Sequence, residues 1–180
     1  MRYLALLRGI NVGGNNIIPM AKLKASFEAL GFSDVATFIQ SGNVLFTAPA
    51  GSVATLEKRI EATLSRDFSY TASVVLISKA NLEAVVRDAP KGFGSKPEAY
   101  RYDVLFLKAP LAGKRAIADV PTKEGVDTVH AGKNVLYFSR LVAKITQTKL
   151  TKIVGTPIYK QMTIRNWNTT SKLAALVAKR

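Results

Sequence analysis

Cysteine is absent from the chain, and histidine occurs once, as His130. The first absence excludes a disulfide framework and any thiolate metal site. The second leaves metal binding to carboxylates, which are few and scattered, so His130 reads as a structural residue in a strand. Acidic side chains are scarce, 12 against 26 Lys and Arg. No carboxylate pair falls on the polar loops described below, and no Ser–His–Asp set can be assembled, so hydrolytic acid–base chemistry has no candidates. An enzyme built on this chain has to work by positioning and electrostatics through Arg and Lys. Long apolar runs are missing too, none approaching the roughly 18 residues of a membrane span. The apolar stretch after Arg2 meets Arg8 and a polar loop at once. It is too short for a signal-peptide core and has no small-residue cleavage site after it. A cytoplasmic location is the expectation.

What the chain does have is charge of one sign, unevenly placed. Residues 1–90 hold 9 basic and 7 acidic side chains, a net of +2, whereas residues 91–180 hold 17 and 5, a net of +12. A field of that sign attracts nucleic acid, nucleotides and other anions, although surface lysines also serve solubility alone. With 180 residues, 48% of them hydrophobic, the chain can form one domain with a sizeable core or two smaller halves.

The apolar pattern sorts into elements. Residues 3–7 read as a buried strand, and residues 19–30 as a helix opened by Pro19 at its first position and stopped by Gly31. Its stripe is Met20, Leu23, Phe27 and Leu30. Two strands around Gln40-Ser41-Gly42-Asn43 read as a hairpin. Ser52 caps a helix with Leu56, Ile60 and Leu64 on one face. Residues 72–77 form another buried strand. The order is β-α-β-β-α-β, the ferredoxin-like pattern. A helix over 79–89, with Leu82, Val85 and Val86 inward, leads into a Gly/Pro-rich stretch over 89–100 that reads as a linker. The pattern then restarts: a strand over 102–108, a short helix, a hairpin turning near 131–134, a helical stretch over 145–154, a short strand, and a last helix over 168–179. A shift of 91 residues places Val35 on Val126, Thr37 on Thr128, Asn43 on Asn134, Val44 on Val135 and Leu45 on Leu136. The expected architecture is α+β: two ferredoxin-like (βαββαβ) halves, residues 1–78 and 101–180, related by internal duplication and joined by 79–100.

In such a sheet the first and third strands are antiparallel neighbours. Arg8, Gly9 and Asn11 therefore come beside Gln40, Ser41, Gly42 and Asn43, an inventory of amides and one guanidinium suited to an anion. Gly9 to Gly14 keeps the G-x-x-x-x-G spacing of a phosphate loop, but Asn15 and Asn16 replace the Lys and Ser/Thr that complete it, and Gly13 and Gly14 also suit a plain turn. A second constellation is Arg165, Asn166, Trp167, Asn168 and Thr169, where Asn166 or Asn168 caps the last helix and its N–H groups face an anion. A capped helix with Trp167 in the core is the ordinary alternative. A site shared by the 9–16 loop and this helix start is a further expectation. Lys149 and Lys152, with Lys144 and Lys160 nearby, make a basic stretch, either a solvated surface or a backbone-contact patch.

The residues "LLRGINVGGNNIIPM", "FIQSGNVLF" and "TIRNWNTTSKL" together resemble the domain of unknown function 1697 family over nearly the whole chain. The pattern matches at Arg8, Gly9, Asn11, Val12, Gly13 and Gly14, at Gln40 to Asn43, and at Arg165 to Thr169. Between 139 and 152 it keeps only Lys149-Leu150-Thr151. The resemblance implies two ferredoxin-like halves and carries no established activity. The leading functional reading is a binding module for an anionic ligand, nucleic acid or nucleotide, held by backbone contact, because the usual aromatic RNA motif is absent from "NVLF" and "NVLYF". The alternatives are an enzyme acting on a small phosphorylated or carboxylated metabolite, and a structural or interaction protein.

Overall fold

In the computed structural model, which describes residues 1–179, the first strand β1 (Arg2–Leu7) is buried along its whole length. An uninterrupted apolar run predicts this. Strand β3 (Asn43–Thr47) pairs with it antiparallel, Leu4 opposite Leu45, and β4 (Val74–Ser78) pairs on its other side, Leu4 opposite Ile77. With β2 (Ser33–Phe38) the sheet runs β2-β3-β1-β4, all neighbours antiparallel. Helix α1 (Met20–Ala29) joins β1 to β2 and α2 (Val53–Phe68) joins β3 to β4. The helices lay Leu23 and Phe27, and Leu56, Ile60 and Leu64, against Tyr3, Ala5, Leu7, Val44 and Phe46. Pro19 stands one residue outside α1 as its cap, with ψ 132°, rather than at its first position. Ser52 caps α2 as expected, its hydroxyl accepting from the Thr55 amide at 3.4 Å.

The edge strand β4 is guarded by α2. Glu57 accepts the Leu76 amide at 2.9 Å and Glu61 the Val74 amide at 2.8 Å. Two carboxylates one helical turn apart, about 6 Å, match two alternate strand amides about 7 Å apart. The outward N–H groups of an edge that would otherwise invite pairing are thereby satisfied.

By its contacts the chain divides into two compact units, residues 1–83 with 173–179, and residues 84–172. The boundary falls inside helix α3 (Lys79–Arg87), where Leu82 is buried and Val85 and Val86 are half-buried. Residues 89–100, read above as a linker, are a succession of tight turns running into β5 (Tyr100–Leu107) within the second unit. They are held there by Phe93, whose ring packs against Tyr102, Tyr137 and Trp167 at 4.9, 5.3 and 5.1 Å between centroids.

The second unit contains a second antiparallel sheet, ordered β6-β7-β5-β8. Its strands are β5 (Tyr100–Leu107), β6 (Asp127–Ala131), β7 (Val135–Leu141) and β8 (Met162–Asn166). Helix α4 (Gly113–Ala116) follows β5, and α5 (Trp167–Ala178) follows β8. The hairpin predicted around 131–134 is present, with Val129 opposite Phe138. The expected helix over 145–154 is absent. Residues 145–154 are not an α-helix but part of three successive 3-10 turns, Val142–Gln147, Leu150–Gly155 and Pro157–Gln161. Thr146, Thr148 and Thr151 are β-branched, and Thr148 is extended at ψ 144°. Its hydroxyl donates to Asp127 at 2.6 Å and accepts the Leu150 amide at 3.2 Å, hydrogen bonds that compete with helix formation. Leu150, Ile153 and Ile158 still reach the core around Leu105, Leu136 and Phe138.

Candidate functional site

Pairing of β1 with β3 carries Arg8 to the hairpin turn. The Leu7 amide donates to the Gly42 carbonyl at 2.8 Å, and the Arg8 amide to Ser73 at 3.0 Å. The loop beyond folds on itself: Asn11 donates its amide to Asn16 and Asn15 to Val12, both at 3.1 Å, which leaves Gly13 and Gly14 at an exposed tip. Asparagine side chains fasten this small hairpin. Asn11 Nδ2 donates to the Gln40 carbonyl at 2.8 Å and the Ile18 carbonyl at 3.1 Å, while its Oδ1 accepts the Ile18 amide at 2.8 Å. Asn16 Nδ2 donates to the Gly9 carbonyl at 2.8 Å. Asn43 is fully buried and donates to Phe38 and Ser41 at 2.9 and 3.0 Å. Asn11, Asn16 and Asn43 thus hold the turns together. Gly9 and Gln40 are exposed, Arg8 and Ser41 half-buried and Gly42 buried, and the amides of Gly13 and Gly14 donate to no group among the described residues.

In the second unit, β8 places Arg165 on the sheet rather than at the mouth of α5. The residue is 9% exposed, and its guanidinium donates to the Thr163 hydroxyl at 2.9 Å and the Ile164 carbonyl at 2.8 Å. Burial lowers its pKa to about 10, so it keeps its charge at neutral pH. Asn166 caps α5, its Oδ1 accepting the Thr169 amide at 2.8 Å, and Asn168 is exposed. Thr169 is buried, and Trp167 is half-buried against Phe93. The two motif asparagines therefore divide their work, Asn166 to the cap and Asn168 to solvent.

Lys149 and Lys152 do come together, though not on an α-helix. The buried Asp127 carboxylate gathers the turns: one oxygen accepts the Lys123 and Lys149 amides, both at 2.9 Å, and the other the Thr148 hydroxyl. Lys152 first, then desolvation and more weakly Lys123, press the Lys149 pKa below its ordinary value. Like charges crowded together favour loss of a proton.

A feature the sequence reading missed lies on one face of the second sheet. A groove of about 340 Å³ is lined by Tyr100 and Tyr102 of β5, Ser139 of β7, Thr128 and His130 of β6, and the 90–96 turns with Phe93, Lys91 and Lys96. His130, read as a structural residue, is exposed there. The available signal was Tyr-x-Tyr alternation entering a strand, preceded by a Gly-rich turn carrying an aromatic between two lysines. Among the described residues no three His, Cys, Asp or Glu side chains stand together as metal ligands, and no helix is long and apolar enough to cross a membrane.

Two four-stranded antiparallel sheets with their helices define a mixed α/β chain that offers a ligand cations, amides and rings. The chain belongs to the family described as "Protein of unknown function (DUF1697)", which matches residues 1–137. That span holds the 8–14 and 40–43 motifs and the groove's β5 and β6 residues, while Lys149 and the 165–169 segment lie beyond it. No curated protein matches the chain. Among solved structures it resembles a conserved bacterial protein, SP0830, from Streptococcus pneumoniae. The TM-score is 0.83 and the identity 29%, over 98% of each chain.

Proposed function

We propose that the protein binds nucleic acid through the phosphate backbone, with the second unit as the contact surface. The observation that carries this reading is the lysine cluster organised by Asp127. A buried carboxylate brings Lys123 and Lys149 together, and Lys152 joins them one tight turn on, its amide donating to the Lys149 carbonyl at 2.9 Å, in a unit with 16 basic and 6 acidic side chains, a net of +10. Crowding cations is unfavourable in isolation and becomes favourable against phosphates, because binding releases condensed counterions. The exposed segment at Asn168 lies in the same unit. In the first unit, Arg8, the Gly13 and Gly14 amides and the 40–43 turn form a smaller anion-accepting position. The reading takes each unit as a ferredoxin-like half arisen by internal duplication. Two facts support this: the shared strand order, and the equivalent register of Leu45 opposite Leu4 and Leu136 opposite Leu105.

The test is fluorescence anisotropy with a labelled 20-mer duplex across a salt titration. Each phosphate contact adds about 0.9 to the slope of log affinity against log salt, so replacing Lys123, Lys149 and Lys152 together by Ala should flatten the slope by roughly 2–3. No oligonucleotide binding, or an unchanged slope in the triple variant, refutes the reading. A shallow salt dependence with saturable binding of a small phosphate ester marks a metabolite site instead.

A further inference from the structure

We propose that the groove on the β5-β7-β6 face holds an unpaired base of single-stranded nucleic acid, a proposal that rests on the backbone-binding reading above. Strand register builds the groove. Tyr102 lies opposite Ser139, and Ser139 opposite Thr128; one row along, Val104 lies opposite Tyr137, and Tyr137 opposite His130. Side chains in one row of neighbouring strands stand on the same face, about 5 Å apart. The small Ser139 and Thr128 therefore leave a depression between the tyrosines on one side and His130 on the other. The ring wall is stiff. Tyr100 and Tyr102 are tilted 40° to each other with centroids 6.0 Å apart, and Phe93 braces Tyr102 edge-on at 4.9 Å. A volume of about 340 Å³ lies within the range of small-ligand sites, about 300–1,000 Å³.

The lining chemistry decides among occupants. A nucleobase presents flat apolar faces and a polar edge. The groove offers rings for the faces and, for the edge, the side chains of Tyr100, Tyr102, Thr128, His130 and Ser139, none of which makes a hydrogen bond among the described residues. Lys91 and Lys96 are exposed at the turn over the groove, and no acidic residue lines it. That suits the phosphate attached to a base. An extended proline-rich peptide also favours aromatic grooves, but it gives the two lysines no partner. A duplex hides its base faces, so the ligand is single-stranded.

The experiment compares a labelled single-stranded 15-mer with a duplex of equal length, on the parent protein and on Tyr100→Ala and Thr128→Phe. Thr128 is exposed on the edge strand, so phenylalanine there fills the groove from solvent without entering the core. Each variant should weaken single-strand binding roughly 5- to 150-fold, the range for losing one base–aromatic stack, and leave duplex binding and the salt slope at parental values. Circular dichroism melts establish that the variants fold, and Thr128→Phe decides if Tyr100→Ala does not. Parental single-strand affinity in a folded Thr128→Phe overturns the proposal, as does displacement of the oligonucleotide by a proline-rich peptide. Salt-dependent binding without strand preference overturns this proposal alone. Failure to bind either oligonucleotide overturns the backbone-binding reading with it.

Discussion

Replacing Gly42 by alanine should destabilise the first unit by about 2–4 kcal/mol. Gly42 lies in the turn between β2 and β3 at φ +74°, and its carbonyl accepts the Leu7 amide at 2.8 Å. A Cβ there meets Ile10 Cδ1 at 2.7 Å, Leu7 Cβ at 2.8 Å and Ile10 Cγ1 at 3.0 Å. The Ile10 tip can swing away, but Leu7 Cβ is fixed to a strand hydrogen-bonded on both sides. Three effects combine. A left-handed conformation costs an L-residue about 1–2 kcal/mol, overpacking adds about 1–3 kcal/mol, and the stiffer unfolded chain returns about 0.4–1 kcal/mol. Two other glycines of the same unit separate these effects. Gly13, at φ +58° with nothing within 4 Å of a Cβ, should lose about 1 kcal/mol or less as alanine, from strain alone. Gly51, with open space and no positive φ, should gain about 0.4–1 kcal/mol. Urea unfolding followed by far-UV circular dichroism is the assay, since the only tryptophan, Trp167, lies in the other unit. If Gly42→Ala costs no more than Gly13→Ala, Leu7 and Ile10 do not close on the turn, and the attachment of the 8–11 loop to the 40–43 turn is wrong.

Other perturbations probe the second unit and the buried phenols. Asp127→Ala strips three donors of their acceptor and should cost about 3–5 kcal/mol, roughly 6–20 °C in a thermal melt; a loss under about 1 kcal/mol would remove Asp127 as organiser of the lysines. The Tyr70 hydroxyl is buried without a hydrogen-bond partner among the described residues, so Tyr70→Phe should raise stability by about 1 kcal/mol in urea unfolding, and a clear loss contradicts that placement. Burial, helped by the Glu61 and Asp88 carboxylates respectively, pushes the Tyr70 and Tyr137 phenols up from 10.0 to about 12. The unfolded chain releases these protons near pH 10 while the folded chain keeps them. Stability should therefore fall as pH rises from 10 toward 12. Phenolate absorbance should show groups titrating near 12, one of them lost in Tyr137→Phe, and a single midpoint near 10 for every tyrosine would refute the assignment. The same variant should cost about 1–2 kcal/mol through the Tyr137 hydroxyl's bond to the Val85 carbonyl, 2.7 Å long.

Local rules carried much of the fold. The stripes of α1 and α2, the Ser52 cap and both hairpins follow from patterns a few residues long, because such patterns describe one element or one tight turn, and the adjacency of Arg8 to the 40–43 turn follows from the strand order that the succession of elements implies. The 145–154 stretch is where they failed. Its apolar spacing suits a helix, but Asp127, distant in sequence, offers Thr148 and the Lys149 amide better partners than a helical ladder does. Arg165 shows the same dependence: it stands beside a helix start in sequence, yet strand β8 lays it into the sheet opposite Val104, a neighbour reached only by folding. The groove was hidden for a further reason. Its rings, hydroxyls and imidazole come from β5, β6, β7 and a turn, and what makes them one surface is the register of Tyr102 on Ser139 and Ser139 on Thr128. The sequence by itself determined which segments become strands and helices and where their turns lie. Tertiary pairing decided which side chains face one another, because register is settled by the burial of whole strands, and no short stretch encodes it.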